Sequence, residues 1–235
     1  MLENSAPGTF VLKIQATDRD ATYPNNWVRY ELRDHKDKFD IDRNTGDIRT
    51  LIRLDREERK SYPLTVVAYD GAESALTLDG KPNENVKRFQ IEVADVNDNP
   101  PYFPHPNYTV EVAEDADIGT KVGELTALDS DTDSQLTYDI VNGNVGGVFV
   151  IEAQTGLLKV AEPLDYETKK SYDLIVEVDD GKQKATTKVH VNILNVNDNM
   201  PQFKNSNPET IKGIAENTVP AGPIITISAT PNVVS

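Results

Sequence analysis

Asp95-Val96-Asn97-Asp98-Asn99-Pro100-Pro101 decides how this chain is divided. Acids and amides alternate there, two prolines follow, and alternating apolar sequence lies on both sides. Such a run has too few apolar side chains to enter a core. Proline cannot donate to a strand ladder, so a strand reaching this point has to stop. The string returns as Asn195-Val196-Asn197-Asp198-Asn199-Met200-Pro201, with Asp198 one hundred residues after Asp98. It reads as a hinge between two copies of one domain, furnished with the oxygen ligands a hard cation takes.

Other strings repeat in the same order. Glu3-Asn4-Ser5-Ala6-Pro7-Gly8-Thr9 matches Glu114-Asp115-Ala116-Asp117-Ile118-Gly119-Thr120, and again Glu216-Asn217-Thr218-Val219-Pro220-Ala221-Gly222. Ala16-Thr17-Asp18-Arg19-Asp20 matches Ala127-Leu128-Asp129-Ser130-Asp131. Phe39-Asp40-Ile41-Asp42 with Thr45-Gly46 matches Phe149-Val150-Ile151-Glu152 with Thr155-Gly156. Leu54-Asp55-Arg56-Glu57 matches Leu164-Asp165-Tyr166-Glu167, and Tyr69-Asp70-Gly71 matches Asp179-Asp180-Gly181. The shift is 110 at Asp55 but 100 at Asp98, so the first copy holds ten extra residues between Asp70 and Asp98. They fall around Asp79-Gly80-Lys81-Pro82-Asn83 and read as a long hairpin loop.

Between these strings apolar residues alternate with polar ones, as in Leu64-Thr65-Val66-Val67-Ala68-Tyr69 and Leu174-Ile175-Val176-Glu177-Val178. No long stretch has capped helical periodicity. About seven short strands per 100 residues predict an all-β fold of tandem Greek-key sandwiches. The expected domains are residues 1–99 with a truncated N-terminal strand, 100–199, and 200–235 as the incomplete start of a third.

A formal charge of −15 argues against nucleic acid or an anionic membrane as a partner. It also asks for cations to relieve the repulsion. The chain has no cysteine, so disulfides give no support, and no apolar run approaches the roughly 20 residues of a membrane span. No signal peptide precedes the first strand; secretion or membrane anchoring would be supplied by parts outside this chain. His35, His105 and His190 are scattered and stand in no repeated motif with a serine or carboxylate, so no enzyme is expected. Asn142-Gly143 and Gly146-Gly147 precede a strand rather than a helix and read as turns.

The ordered set of a leading Glu, DxD, LDxE, the Asp-Gly string and DxNDNxP resembles the extracellular repeats of the cadherin family, over the whole chain. The resemblance implies Ca²⁺ at the linkers, three ions at each full one. At the first linker it implies Glu3, Asp55 and Glu57, the Val96 carbonyl, the Asn97 side chain, the Asp98 carboxylate and the Asn99 carbonyl. Asp129, Asp131 and Asp180 would complete it, with a carbonyl near Asp133 in a loop two residues shorter than the family's usual form. The seven carboxylates of this set sum to −7, against +6 from three Ca²⁺. Asp18, Asp20 and Asp70 would be the half-site facing a preceding repeat.

The second linker would use Glu114, Asp165, Glu167, Asn197 and Asp198. The third copy reads Thr230-Pro231-Asn232-Val233 where two acids belong, so this linker is expected to hold fewer ions and to bend, as in long invertebrate-type cadherins. The implied function is calcium-dependent cell–cell adhesion at the extracellular side of the plasma membrane. The implied partners are other cadherin ectodomains, homophilic or heterophilic. A spacer segment without the adhesive contact is the alternative. A carbohydrate-binding module is the third reading and conflicts with an aromatic content of 7%. Trp27 is the only tryptophan and lies away from the N-terminus, where some family members carry a swapped one. Asn107-Tyr108-Thr109 is a glycosylation sequon. For each acid taken singly, the ordinary reading is a solvated surface charge. Their ordered recurrence is what favours ligation.

Overall fold

The computed structural model describes residues 1–18, 27–70, 84–132, 134–200, 202–203 and 229–230, with Asp70, Gln202, Phe203, Ala229 and Thr230 described in backbone alone. Fifteen strands and one short 3₁₀ turn make up the described secondary structure. The chain divides into two compact units. The first holds Met1–Pro101 with the loops Leu128–Leu136 and Asp180–Lys184; the second holds Tyr102–Ala127, Thr137–Asp179 and Ala185–Ser235.

In the first unit, β1 (Phe10–Lys13), β4 (Asp47–Thr50) and β3 (Phe39–Ile41) form one sheet, in that order. β2 (Val28–Leu32), β5 (Ser61–Asp70) and β6 (Glu84–Glu92) form the other. Alternation explains the core. Along β5, Tyr62, Leu64 and Val66 turn inward, and they meet Tyr30, Leu32, Phe39, Ile41, Ile48, Leu54, Ile91 and Val93. Each fully buried apolar side chain of this size contributes roughly 1.5–3 kcal/mol.

The second unit repeats the plan with seven strands. β8 (Lys121–Glu124), β11 (Leu157–Val160) and β10 (Phe149–Ile151) form one sheet. β7 (Asn107–Ala113), β13 (Lys184–Leu194), β12 (Ser171–Asp179) and β9 (Thr137–Asn142) form the other. Tyr172, Leu174, Val176 and Val178 are buried at every second position of β12. β7 runs parallel to β13 and ends with Ala113 opposite Leu194. The first unit keeps the matching pair as a single parallel bridge, Leu2 with Ala94. Even the ring packing repeats. Phe39 meets Tyr62 edge-on at 5.4 Å, and Phe149 meets Tyr172 at 5.1 Å.

Gly146-Gly147 lies in a 3₁₀ turn at Val145–Gly147 just before β10, while Asn142 ends β9 and Gly143 follows it with φ +84°. β5 and β6 pair antiparallel, but the loop around residues 79–83 lies outside the described residues, and so does Trp27's neighbour sequence 19–26. Of the third copy, only β14 (Gln202–Phe203) and β15 (Ala229–Thr230) are described, as an antiparallel pair. No helix among the described residues is long and apolar enough to cross a membrane.

His190 on β13 has a partner that the repeated strings did not suggest. Its Nδ1 lies 2.7 Å from Asp173 Oδ1 on β12. The hydrogen bond to that carboxylate raises the imidazole pKa above its ordinary value, against an opposing effect of burial. A raised folded-state pKa means that the pair's stabilisation is present below the unfolded pKa of about 6.5 and is lost as pH rises through the folded value. Asp173→Asn should lower the His190 pKa in an NMR titration. A His190 that titrates identically in both proteins would contradict this.

Candidate metal centre

A tyrosine and a glycine hold the chain just ahead of each acidic DxD string. Leu125 N donates to Gly156 O at 2.9 Å, and Ala127 N donates to the buried Tyr138 hydroxyl at 2.9 Å. In the first unit, Ile14 N donates to Gly46 O, and Ala16 N donates to Tyr30 at 2.8 Å. The alanine that opens each DxD string is thus tied to the sandwich two residues before the first acid.

The leading glutamates are buried. Glu3 is only 2% exposed and accepts two backbone N–H groups, Arg56 at 2.7 Å and Val96 at 2.8 Å. It thereby joins the LDxE string to the hinge. Glu3, Asp55 and Glu57 carry oxygens that all lie within 4.8 Å of one another. Burial first, and the neighbouring Glu3 charge second, push the Glu57 carboxyl above its usual range. Burial and a neighbouring like charge both disfavour the ionised form of a carboxyl.

Asp131 is the link from the DxD loop to the hinge. One of its oxygens accepts the Asp98 and Asn99 N–H groups, both at 3.0 Å, and the other accepts the Asn99 amide at 2.9 Å. Asp131 N in turn donates to Asp129 Oδ1 at 2.9 Å. Asp180 Oδ1 takes the Lys182 and Gln183 N–H groups at 2.6 Å each, and Asn97 Nδ2 reaches the Asp180 carbonyl at 3.4 Å. Among the described residues, besides the Ser134 hydroxyl, three buried oxygens are left without a hydrogen-bond partner: Asn97 Oδ1, Asp129 Oδ2 and Asp180 Oδ2. An unpaired buried acceptor costs about 1–3 kcal/mol. These oxygens are of the carboxylate and amide types that Ca²⁺ takes, so the residues present fit such an ion.

Two residues of the cluster are absent from the expected set. Arg56 is 6% exposed, with Nε 2.6 Å from Asp95 Oδ1, Nη2 2.5 Å from Glu57 Oε1 and Nη2 2.8 Å from the Ser130 carbonyl. Asp95 also accepts the Thr132 N–H, and Glu57, Asp95 and Asp131 form a second group able to hold a cation. Arg56 and Asp95 carry opposite charges, so the count of −7 stands. The carbonyl of Asn97 accepts the Lys182 ammonium at 2.6 Å. Asp98 is exposed and is bound by the Asn4 amide at 2.5 Å and the Asn99 amide at 2.8 Å.

The second unit has the same scaffold with fewer parts. Glu114 accepts Tyr166 N at 2.7 Å and Val196 N at 2.6 Å, and its oxygens group with those of Asp165 and Glu167 within 4.8 Å. Hydrogen bonds from the Thr168 hydroxyl and N–H hold the Asp165 pKa below its usual value. Asp198 is exposed and takes the Asn199 amide at 2.7 Å, outside that group. Asp18 is half-buried and belongs to none of the three groups. Asp20, Asp133 and the side chain of Asp70 lie outside the described residues, as do residues 231–235.

A cadherin-domain family model matches residues 1–94 and 108–194. Neural-cadherin of Drosophila melanogaster is 41% identical over 209 residues, which cover 87% of this chain and 7% of that protein. The chain therefore spans less than a tenth of this relative. Among solved structures, mouse Cadherin-23 EC22-24 is 29% identical with a TM-score of 0.67, covering 87% of this chain and 65% of the other. The protocadherin gammaB7 EC3-6 cis-dimer is 25% identical with a TM-score of 0.78, covering 97% and 57%.

Proposed function

The chain belongs to the cadherin family, and from that premise we propose that it is part of a calcium-dependent adhesive ectodomain at the cell surface. Calcium binding is characteristic of the family, and its repeats are adhesive and structural domains rather than enzymes. The proposed repeats are residues 1–99 and 100–199, followed by the start of a third at 200–235. Glu3, Asp55, Glu57, Asp98, Asp129, Asp131 and Asp180 would hold the ions of the first linker with their carboxylates. The Asn97 side chain and the carbonyls of Val96, Asn99 and the region of Asp133 would add neutral oxygens. Ca²⁺ supplies positive charge to this set and no chemistry beyond it.

The observation that carries this reading is the trio of unpaired buried oxygens on Asn97, Asp129 and Asp180. They sit on three separate repeated strings, and a cation is what satisfies such acceptors without a proton. Glu114, Asp165, Glu167 and Asp198 would hold fewer ions at the second linker, and Asp18, Asp20 and Asp70 would serve a preceding one. Partners would be other cadherin ectodomains; one structural neighbour is described as a cis-dimer. Anchoring to the membrane would come from parts of the protein outside this chain.

Small-angle scattering tests the mechanical side. Carboxylates crowded within a few ångströms repel one another when no ion is present. The chain should be longer and stiffer with Ca²⁺ than with chelator. Identical scattering in both conditions would contradict the proposal.

A further inference from the structure

The x position of LDxE differs between the two copies, and the difference is electrostatic. Arg56 and Tyr166 both use their backbone N–H to bind the leading glutamate. Their side chains then diverge. Tyr166 is half-buried, with the Lys170 ammonium 5.0 Å from its ring. Arg56 is buried among acids. The first residue of the hinge changes in step, Asp95 in the first copy and Asn195 in the second.

Burying a guanidinium is costly unless its charge and its N–H groups are met. Here Asp95, Glu57 and the Ser130 carbonyl meet them. Glu57 is also shared by two groups able to hold a cation, one with Glu3 and Asp55 and one with Asp95 and Asp131. A guanidinium on Glu57 Oε1 and a divalent ion on the same carboxylate repel each other.

We propose that Arg56 is an internal counter-cation. It holds Glu57, Asp95 and the Ser130 loop together when Ca²⁺ is absent, and it opposes Ca²⁺ at Glu57, raising the concentration at which the cluster fills. This rests on the calcium reading above. It makes Arg56 a positioning residue whose two effects have opposite signs, which a purely structural role would not produce.

Calorimetric Ca²⁺ titration of the whole chain and amide hydrogen exchange in chelator test it together. Arg56→Gln should tighten the strongest Ca²⁺ binding at least tenfold, about 1.4 kcal/mol. In chelator the same variant should exchange faster at Ser130, Asp131 and Thr132. Arg56→Lys keeps the charge but not the fork, so its Ca²⁺ affinity should stay within threefold of the original while exchange at Ser130 rises. A wild type that takes up no Ca²⁺ overturns the calcium reading and this proposal with it. A wild type that binds, with Arg56→Gln binding equally or more weakly, overturns this proposal alone. Unchanged exchange in both variants also overturns it.

Discussion

Asp131→Asn should weaken Ca²⁺ binding by the first cluster at least a hundredfold, about 2.7 kcal/mol. The substitution is nearly isosteric, so the effect isolates chemistry from shape. Both Asp131 oxygens are acceptors, one for the Asp98 and Asn99 N–H groups and the other for the Asn99 amide. An asparagine offers only one acceptor oxygen, so its NH₂ must face a donor on one side or the other. Asp131 is 6% exposed, and water cannot readily repair the mismatch. An unmet buried donor costs about 1–3 kcal/mol, and the lost negative charge removes a ligand for a hard cation as well. The melting temperature in chelator should fall too, since the hydrogen-bond mismatch does not depend on the ion. Calorimetry on the variant gives both numbers. Ca²⁺ affinity within threefold of the original would show that Asp131 is a structural acceptor and not a ligand.

Gly156→Ala should destabilise the second sandwich by roughly 3 kcal/mol, from a left-handed backbone penalty of about 1–2 kcal/mol and an overpacking cost of about 1–3 kcal/mol. Gly156 has φ +68°, and a Cβ built there lies 2.1 Å from the Leu125 carbonyl oxygen and 3.3 Å from the Tyr138 ring. The carbonyl is backbone in a core strand connection and has little room to retreat. The ring belongs to the tyrosine whose hydroxyl holds Ala127, so the strain also reaches that backbone. Gly119→Ala is the matched control: φ is +90°, but nothing lies within 4 Å of the added carbon. It should cost only the backbone part, about 1 kcal/mol. Thermal unfolding followed by circular dichroism separates the two. Equal melting temperatures for the two variants would remove the steric part of the argument.

Much of this was legible in the residues because the fold is written twice. The alternation of Leu174, Val176 and Val178 gave a strand with one buried face, and that face is where they lie. The recurrence of Thr45-Gly46 as Thr155-Gly156 marked a shared backbone requirement. What it could not convey was that the glycine makes room for a carbonyl and for the ring of Tyr30 or Tyr138. That partner comes from another strand, and no local pattern announces it.

The acids were found as a set because Glu3, Asp55 and Glu57 recur as Glu114, Asp165 and Glu167. Arg56 and Asp95 stay hidden in the sequence for the same reason. Recurrence marks what the copies share and hides what differs between them. The available signal was the joint change from Arg56 with Asp95 to Tyr166 with Asn195, which preserves neutrality across two positions far apart in sequence. The pairing of His190 with Asp173 is not legible in the sequence, because a cross-strand pair depends on register, and register is not a property of either strand alone.

The most direct measurement of the central claim is the number of Ca²⁺ ions bound per chain at saturation, by equilibrium dialysis with elemental analysis. Three or four is the predicted result, three from the set around Asp131 and at most one from the set around Glu114. A count of zero would contradict the calcium reading itself, and a count near six would contradict the deficit assigned to the second linker.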